Sequence, residues 1–243
     1  EPTPSPAFPH GVNVVVMSEA RQSLFDKVLA LQQRPYERTL YLDADTYAAA
    51  PIEEVFDLLE GCDVAASHDS WRASHPGSPP QVFPELNLGV LLLGNSSAVD
   101  QLLSDWLALY EHFAQSWNDP DGLMDQHPFW DVLWSAQCEK TLRFLALPQE
   151  WNVQSWHPIS LAEHSTARII HGRGRDLERV ASLLSASSRA RVWIPTSRGW
   201  GRPERIAGII FGDKAGRWLL PGLVFLSKLH YFITHPRSSR KER

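Results

Sequence analysis

The stretch that most constrains this chain is Thr39-Leu40-Tyr41-Leu42-Asp43-Ala44-Asp45-Thr46. An apolar run of strand length ends abruptly in two carboxylates with one residue between them. In an open α/β sheet, ligands collect outside the carboxyl ends of the strands. Two acidic side chains placed there are costly unless a cation or a proton neutralises them. A strand that continues through the pair turns Asp43 and Asp45 to one face and Ala44 to the other. Hard oxygen donors in that arrangement suit Mg²⁺ or Mn²⁺. The stretch is therefore read as a metal and diphosphate site.

The rest of the chain supplies a sheet to carry it. Val12 to Met17 is a short strand candidate, and Ser18 to Gln33 reads as a helix with Leu24, Val28 and Leu31 on one face, capped by Ser18. Pro51 opens a helix that stops at Gly61. Asp63–Ser67, Leu86–Leu93, Leu142–Leu147 and Ala167–His171 read as strands. Ser97 starts a long amphipathic helix, Asp125–Trp134 forms another, and Leu177–Leu184 a third. Strands alternate with helices, and the strands are too uniformly apolar for one-sided exposure. This predicts an α/β fold: a mixed, mostly parallel sheet with helices on both faces. With 243 residues, 43% of them hydrophobic, the chain has enough material for one sizeable core. The many tryptophans between Trp71 and Trp156 are assigned mainly to that core.

Charge divides the chain. From Arg175 to the end, 14 Lys and Arg stand against 5 Asp and Glu, although the whole chain carries a net charge of −5. The division predicts a core over 1–174 and a basic, partly helical appendage over 175–243. Such a tail suits a peripheral contact with anionic lipid as well as a plain solvated terminus. The two cysteines, Cys62 and Cys138, lie in apolar surroundings and form no disulfide framework or zinc ligand set. A cytoplasmic location is expected, with no membrane span and no nucleic-acid partner.

Three further segments carry chemistry. In Glu85-Leu86-Asn87-Leu88-Gly89-Val90 a polar amide sits inside an apolar strand, where it needs partners, and Gly89 permits close approach. A bulged edge strand would account for both residues equally well. In Met124-Asp125-Gln126-His127, Asp125 stands where a helix cap is common, but capping leaves Gln126 unexplained. In Arg168-Ile169-Ile170-His171-Gly172-Arg173-Gly174, a strand ends in His171, and the glycines after it offer backbone N–H groups to phosphate beside Arg173. A lone strand-end histidine is usually structural. In a chain with a strand-end acidic pair it becomes a candidate third ligand.

Together the four segments, from about Lys27 to Gly174, resemble the A-type glycosyltransferases, in particular the group related to glycogenin and the bacterial lipopolysaccharide galactosyl and glucosyl transferases. The phrase Pro35 to Thr46 is especially similar to the segment through their D-x-D motif. The resemblance implies a Rossmann-like A-type fold and glycosyl transfer, with retention, from a nucleotide-diphosphate sugar (UDP favoured) to an acceptor hydroxyl. It implies that Asp43, Asp45 and His171 bind Mn²⁺ or Mg²⁺, with Asp43 also near the donor. It further implies a donor pocket of Lys27, Asn87, Gly89, Gly172 and Arg173, and places Asp125 and Gln126 at the reacting sugar. The family's nucleotide-clasping strand and loop have no counterpart before Lys27, so the front of the core is expected to be incomplete. The family's closing Lys-Pro-Trp is also missing after Gly172. A homologue that binds sugar nucleotide or a partner without turnover is the alternative reading. A haloacid-dehalogenase-type phosphatase fits less well, because Thr46 follows Asp45 directly and no later strand-end lysine is found. A nucleotidyltransferase would need an early Gly-rich loop.

Overall fold

The structure is a computed structural model that describes residues 12–15, 17, 20, 23–69, 79–116, 125–172, 176–186, 188 and 190–193. The elements that place the site are strands β1 (Arg38–Leu42), β2 (Thr46–Ala48), β3 (Val64–His68), β4 (Leu86–Gly94), β5 (Phe144–Leu147), β6 (Val153–Gln154), β7 (Ile159–Leu161), β8 (Ile169–His171) and β9 (Arg191–Trp193). They are joined by helices α1 (Phe25–Gln32), α2 (Ser97–Ser116), α3 (Gln126–Glu139) and α4 (Leu177–Ser185). The main sheet has the order β1-β4-β3-β5, a second has the order β2-β8-β6, and β7 pairs with β9.

The fold is mixed α/β, as the alternating pattern implies. Within it, β3 with β5 and β6 with β8 run parallel, while β1 with β4, β3 with β4, β2 with β8 and β7 with β9 run antiparallel. Antiparallel pairings thus outnumber parallel ones among the described residues. The apolar runs reported burial on both faces, and burial does not specify strand direction.

The central strand β4 shows how both faces are filled. Leu86, Leu88, Leu91 and Leu93 pack with Val28 and Leu31 of α1, Leu103 and Trp106 of α2, and Phe129 and Leu133 of α3. Val90 and Leu92 face the other way, against Val55, Leu147, Trp151 and Ile169. The inward parity changes from even to odd numbers between Leu88 and Leu91. The cause is a bulge: Ala66 pairs with Leu91, but its neighbour Ser67 pairs with Asn87. Bulges re-aim side chains next to functional sites, and this one holds Asn87 and Gly89. The bulge is as anticipated, but the strand is central rather than an edge.

Other expectations are corrected. Residues 12–15 and 17 form no strand, and Val12, Val14 and Val15 are exposed, leaving them no packed face to stabilise one. Helix α1 starts at Phe25, and Ser18 lies outside the described residues. The segment after Pro51 is a 3-10 helix, Glu53–Glu60, whose three-residue turn lines up Ile52, Val55 and Leu58 against the sheet. Cys138 is exposed, while Cys62 is buried. Trp106, Trp130 and Trp151 are buried, as assigned to the core, but Trp156 is 38% exposed.

The boundary drawn at residue 174 runs through continuous packing: Val180, Ala181 and Leu184 of α4 share a cluster with Val153 of β6 and Ile170 of β8. The basic segment from residue 194 onward, with the expected tail helix, lies outside the described residues. No helix among the described residues is long and apolar enough to cross a membrane.

Candidate functional site

Two short ladders deliver the acidic pair to the histidine. The chain leaving β1 stays beside the β4 bulge, where the Asp43 amide donates to Gly89 O at 2.9 Å. It then turns, with the Thr46 amide and hydroxyl both donating to Asp43 O at 3.1 and 2.8 Å. After the turn, β2 pairs with β8 in a register that sets Thr46 opposite His171, and the Gly172 amide donates to Asp45 O at 2.9 Å. The His171 Nε2 atom lies 3.2 Å from Asp45 Oδ1 and 3.7 Å from Asp43 Oδ2. One ligand atom from each of Asp43, Asp45 and His171 falls within a common span of 4.8 Å. A turn therefore converges the two carboxylates, where strand alternation was expected to do so.

Two carboxylates and an imidazole combine hard oxygen with borderline nitrogen, a set that fits Mn²⁺ and also accepts Mg²⁺. The oxygens of Asp43 divide the work. Oδ1 receives the Tyr41 hydroxyl at 2.7 Å and the Lys27 ammonium at 3.1 Å, while Oδ2 faces His171. Burial raises the Tyr41 pKa, and the hydrogen bond to Asp43 raises it further, so the phenol remains a donor. Burial lowers the His171 pKa against the opposing pull of Asp45 and Asp43, which favours the neutral, ligating imidazole.

Lys27 reaches the site from α1 and ties it to a second group. Its Nζ lies 2.8 Å from Asp125 Oδ2, with only 8% of the lysine side chain and 4% of the aspartate exposed. Asp125 precedes α3 without making a side-chain cap, so the ion pair occupies its carboxylate. Its backbone carbonyl accepts from the Trp106 indole at 2.9 Å. Beyond it, Gln126 Nε2 donates to Asp69 Oδ2 at 2.8 Å, and Asn87 Nδ2 donates to the same oxygen at 3.2 Å. The result is a row of carboxylates and amides beside the Asp-Asp-His group, buried except for the half-buried Gln126.

Of the residues named from sequence, Lys27, Asp43, Asp45, Asn87, Gly89, Asp125, Gln126, His171 and Gly172 lie in this one region, and Arg173 lies outside the described residues. Gly172 differs in role from the expectation, since its amide is committed to Asp45 O rather than free for phosphate. Tyr41, Asp69, Asn152 and Trp156 were missed. Asp69 follows a buried strand just as Asp43 does, and that signal was available. Trp156 sets its ring edge-on to His171 at 4.8 Å between centroids, but nothing in its local sequence pattern marks it.

Gly89 is required here for space. A Cβ at this position would overlap the His171 ring at Cε1 and Nδ1 and stand 2.8 Å from Nε2. Gly89→Ala is expected to push the imidazole off its position, lowering stability by about 1–3 kcal/mol through overpacking. Calorimetric titration with Mn²⁺ is expected to show weakened binding in the variant. Unchanged melting and unchanged metal binding would mean that the ring has room to retreat.

The sequence matches no protein-family model, and no curated protein matches it. Among solved structures, the chain is similar to mouse xyloside xylosyltransferase 1 in its apo form, at 19% identity and a TM-score of 0.40, over 61% of this chain and 63% of that one. It is also similar to the glycosyltransferase GlyE of Streptococcus pneumoniae TIGR4, at 17% identity and a TM-score of 0.36, over 54% of this chain and 29% of that one. The match thus spans less than two thirds of either chain's length, and no residue role is carried over from them.

Proposed function

We propose that the chain transfers a glycosyl group from a nucleotide-diphosphate sugar to an acceptor hydroxyl, using a divalent cation held by Asp43, Asp45 and His171. The observation that carries this reading is the convergence of those three side chains within 4.8 Å beside the carboxylate and amide row. A bound Mn²⁺ or Mg²⁺ supplies Lewis acidity, neutralising charge on the departing diphosphate. In the transfer, the bond from the anomeric carbon to the diphosphate oxygen breaks and its electron pair leaves with the nucleoside diphosphate. The acceptor oxygen forms the new bond, and its proton passes to the departing diphosphate oxygen.

The surrounding residues bind and orient. Lys27 and Tyr41 fix one oxygen of Asp43, which leaves the other for the metal side. Asp125, Gln126, Asp69 and Asn87 supply the paired donors and acceptors that recognise vicinal sugar hydroxyls. Gln126 is assigned to the reacting sugar, where its amide dipole stabilises positive charge building at the anomeric carbon, while Asp125, paired with Lys27, fixes the start of α3 beside it. No side chain is assigned as a nucleophile. A UDP-linked donor and retention at the anomeric carbon complete the reading.

The test is nucleoside diphosphate release from UDP-, GDP- and ADP-sugars with Mn²⁺, with Mg²⁺ and with EDTA. Release that needs the metal and is abolished by EDTA is the expected result. Failure of every donor both to turn over and to bind in the presence of metal would overturn the proposal.

A further inference from the structure

Behind His171 runs a chain of amides whose polarity is fixed from its far end. The Gly89 backbone amide donates to Asn87 Oδ1 at 3.1 Å, and a backbone N–H is only a donor, so that atom of Asn87 is the carbonyl oxygen. The Asn87 Nδ2 accordingly faces the carboxylate of Asp69 at 3.2 Å. Asn152 Nδ2 lies 2.8 Å from the Asn87 carbonyl oxygen and 3.4 Å from the Asn87 backbone carbonyl. Both neighbours only accept, so the Asn152 amide has one satisfying orientation. Its Oδ1 then faces His171 Nδ1 at 3.1 Å, where an acceptor calls for an N–H. Asn87, Asn152 and His171 are all buried, so water does not compete for these bonds.

We propose that Asn152 is a positioning residue that holds the His171 imidazole as the Nδ1–H tautomer, keeping the Nε2 lone pair aimed between Asp43 and Asp45. The consequence for a cation rests on the metal reading above. With its proton on Nδ1, the ring presents an electron-rich Nε2 at 3.2 Å from Asp45 Oδ1 and 3.7 Å from Asp43 Oδ2. Three electron-rich atoms so close form a set suited to a positive charge. The opposite tautomer would place a proton in that space, hydrogen-bond it to Asp45, and compete with the ion. Partners on the far nitrogen of a ligating histidine typically change metal affinity 10–100-fold when lost. Asn152 is that partner here, set by Asn87 and the Gly89 amide rather than by a carboxylate.

The test uses the full chain with ¹⁵N-labelled histidine, metal-free, at about pH 8, above the ordinary imidazole range. Long-range proton–nitrogen correlation spectra, with His171 assigned from His171→Gln, distinguish the two tautomers directly. The wild type is expected to show His171 protonated at Nδ1. Asn152→Leu, close in size but without the acceptor, is expected to shift the proton to Nε2 and weaken Mn²⁺ binding roughly 10–100-fold, followed by the electron paramagnetic resonance of free Mn²⁺. A wild-type His171 protonated at Nε2, or at both nitrogens, would overturn the proposal. So would Asn152→Leu with an unmoved proton and full affinity. A wild type with the Nδ1–H signature that binds no metal upholds the tautomer and instead overturns the metal reading.

Discussion

Asp45→Asn is expected to lower metal-dependent donor cleavage by roughly 10²–10³-fold, the usual cost of removing one fixed group that stabilises developing charge. Asp45 Oδ1 is the carboxylate oxygen nearest His171 Nε2, at 3.2 Å, and the Asp45 side chain is 38% exposed. Its backbone carbonyl is held by the Gly172 amide, so the substitution changes the ligand without removing the contact that places it. An amide oxygen is a weaker, uncharged ligand. Both Mn²⁺ affinity and nucleoside diphosphate release should therefore fall while the melting temperature stays near wild type. Initial rates across a Mn²⁺ titration provide the check. If the variant turned over donor at the wild-type rate with the wild-type metal requirement, Asp45 would have no place in the site.

The largest loss of stability is expected from Lys27→Met. Lys27 compensates two carboxylates at once, Asp125 at 2.8 Å and Asp43 at 3.1 Å. Methionine keeps the length of the stem but leaves Asp125, almost entirely buried, without its counter-charge. Breaking a buried pair by removing one partner costs about 3–5 kcal/mol, because the remaining charge stays desolvated. The same ion pair gives a pH signature. Burial pulls the Lys27 pKa down, but Asp125 and then Asp43 outweigh it, and the net pKa is raised. A group whose folded pKa is raised contributes its full stability below the unfolded value, about 10.4 for lysine, and loses it as pH rises through the folded pKa. Urea midpoints should thus fall for the wild type in the alkaline range, with that decline absent in Lys27→Met. A loss under about 1 kcal/mol at neutral pH would place the interaction among screened surface pairs instead.

Most of the elements were legible because their signals are local. The apolar run that became β4 and the amphipathic pattern of α2 are visible in a window of a few residues, and so is the strand that ends at Asp43. Four of the five strands of two or three residues were not legible. Thr46–Ala48, Val153–Gln154, Ile159–Leu161 and Arg191–Trp193 are too short to show a period, and they pair only because longer elements bring them together. Strand direction was misjudged for a related reason: a buried parallel strand and a buried antiparallel strand carry the same side chains. Asp125 shows the converse. Its position before α3 suggested a cap, and only the arrival of Lys27 from α1 shows that its carboxylate is used elsewhere.

By itself, the sequence determined which donor atoms the site contains: the carboxylates of Asp43 and Asp45, the imidazole of His171, and the amides of Asn87 and Gln126. Those are properties of single residues next to recognisable strand and helix ends. Tertiary structure alone decided how they meet. The β2–β8 register brings His171 to Asp45, the lack of a side chain at Gly89 in the β4 bulge leaves space for the ring, and the Asn87–Asn152 pair sets an amide oxygen against the far ring nitrogen. The physical reason is that chemical identity is local, whereas distance and hydrogen-bond polarity between remote residues depend on how separate strands align. No single segment of the sequence contains that alignment.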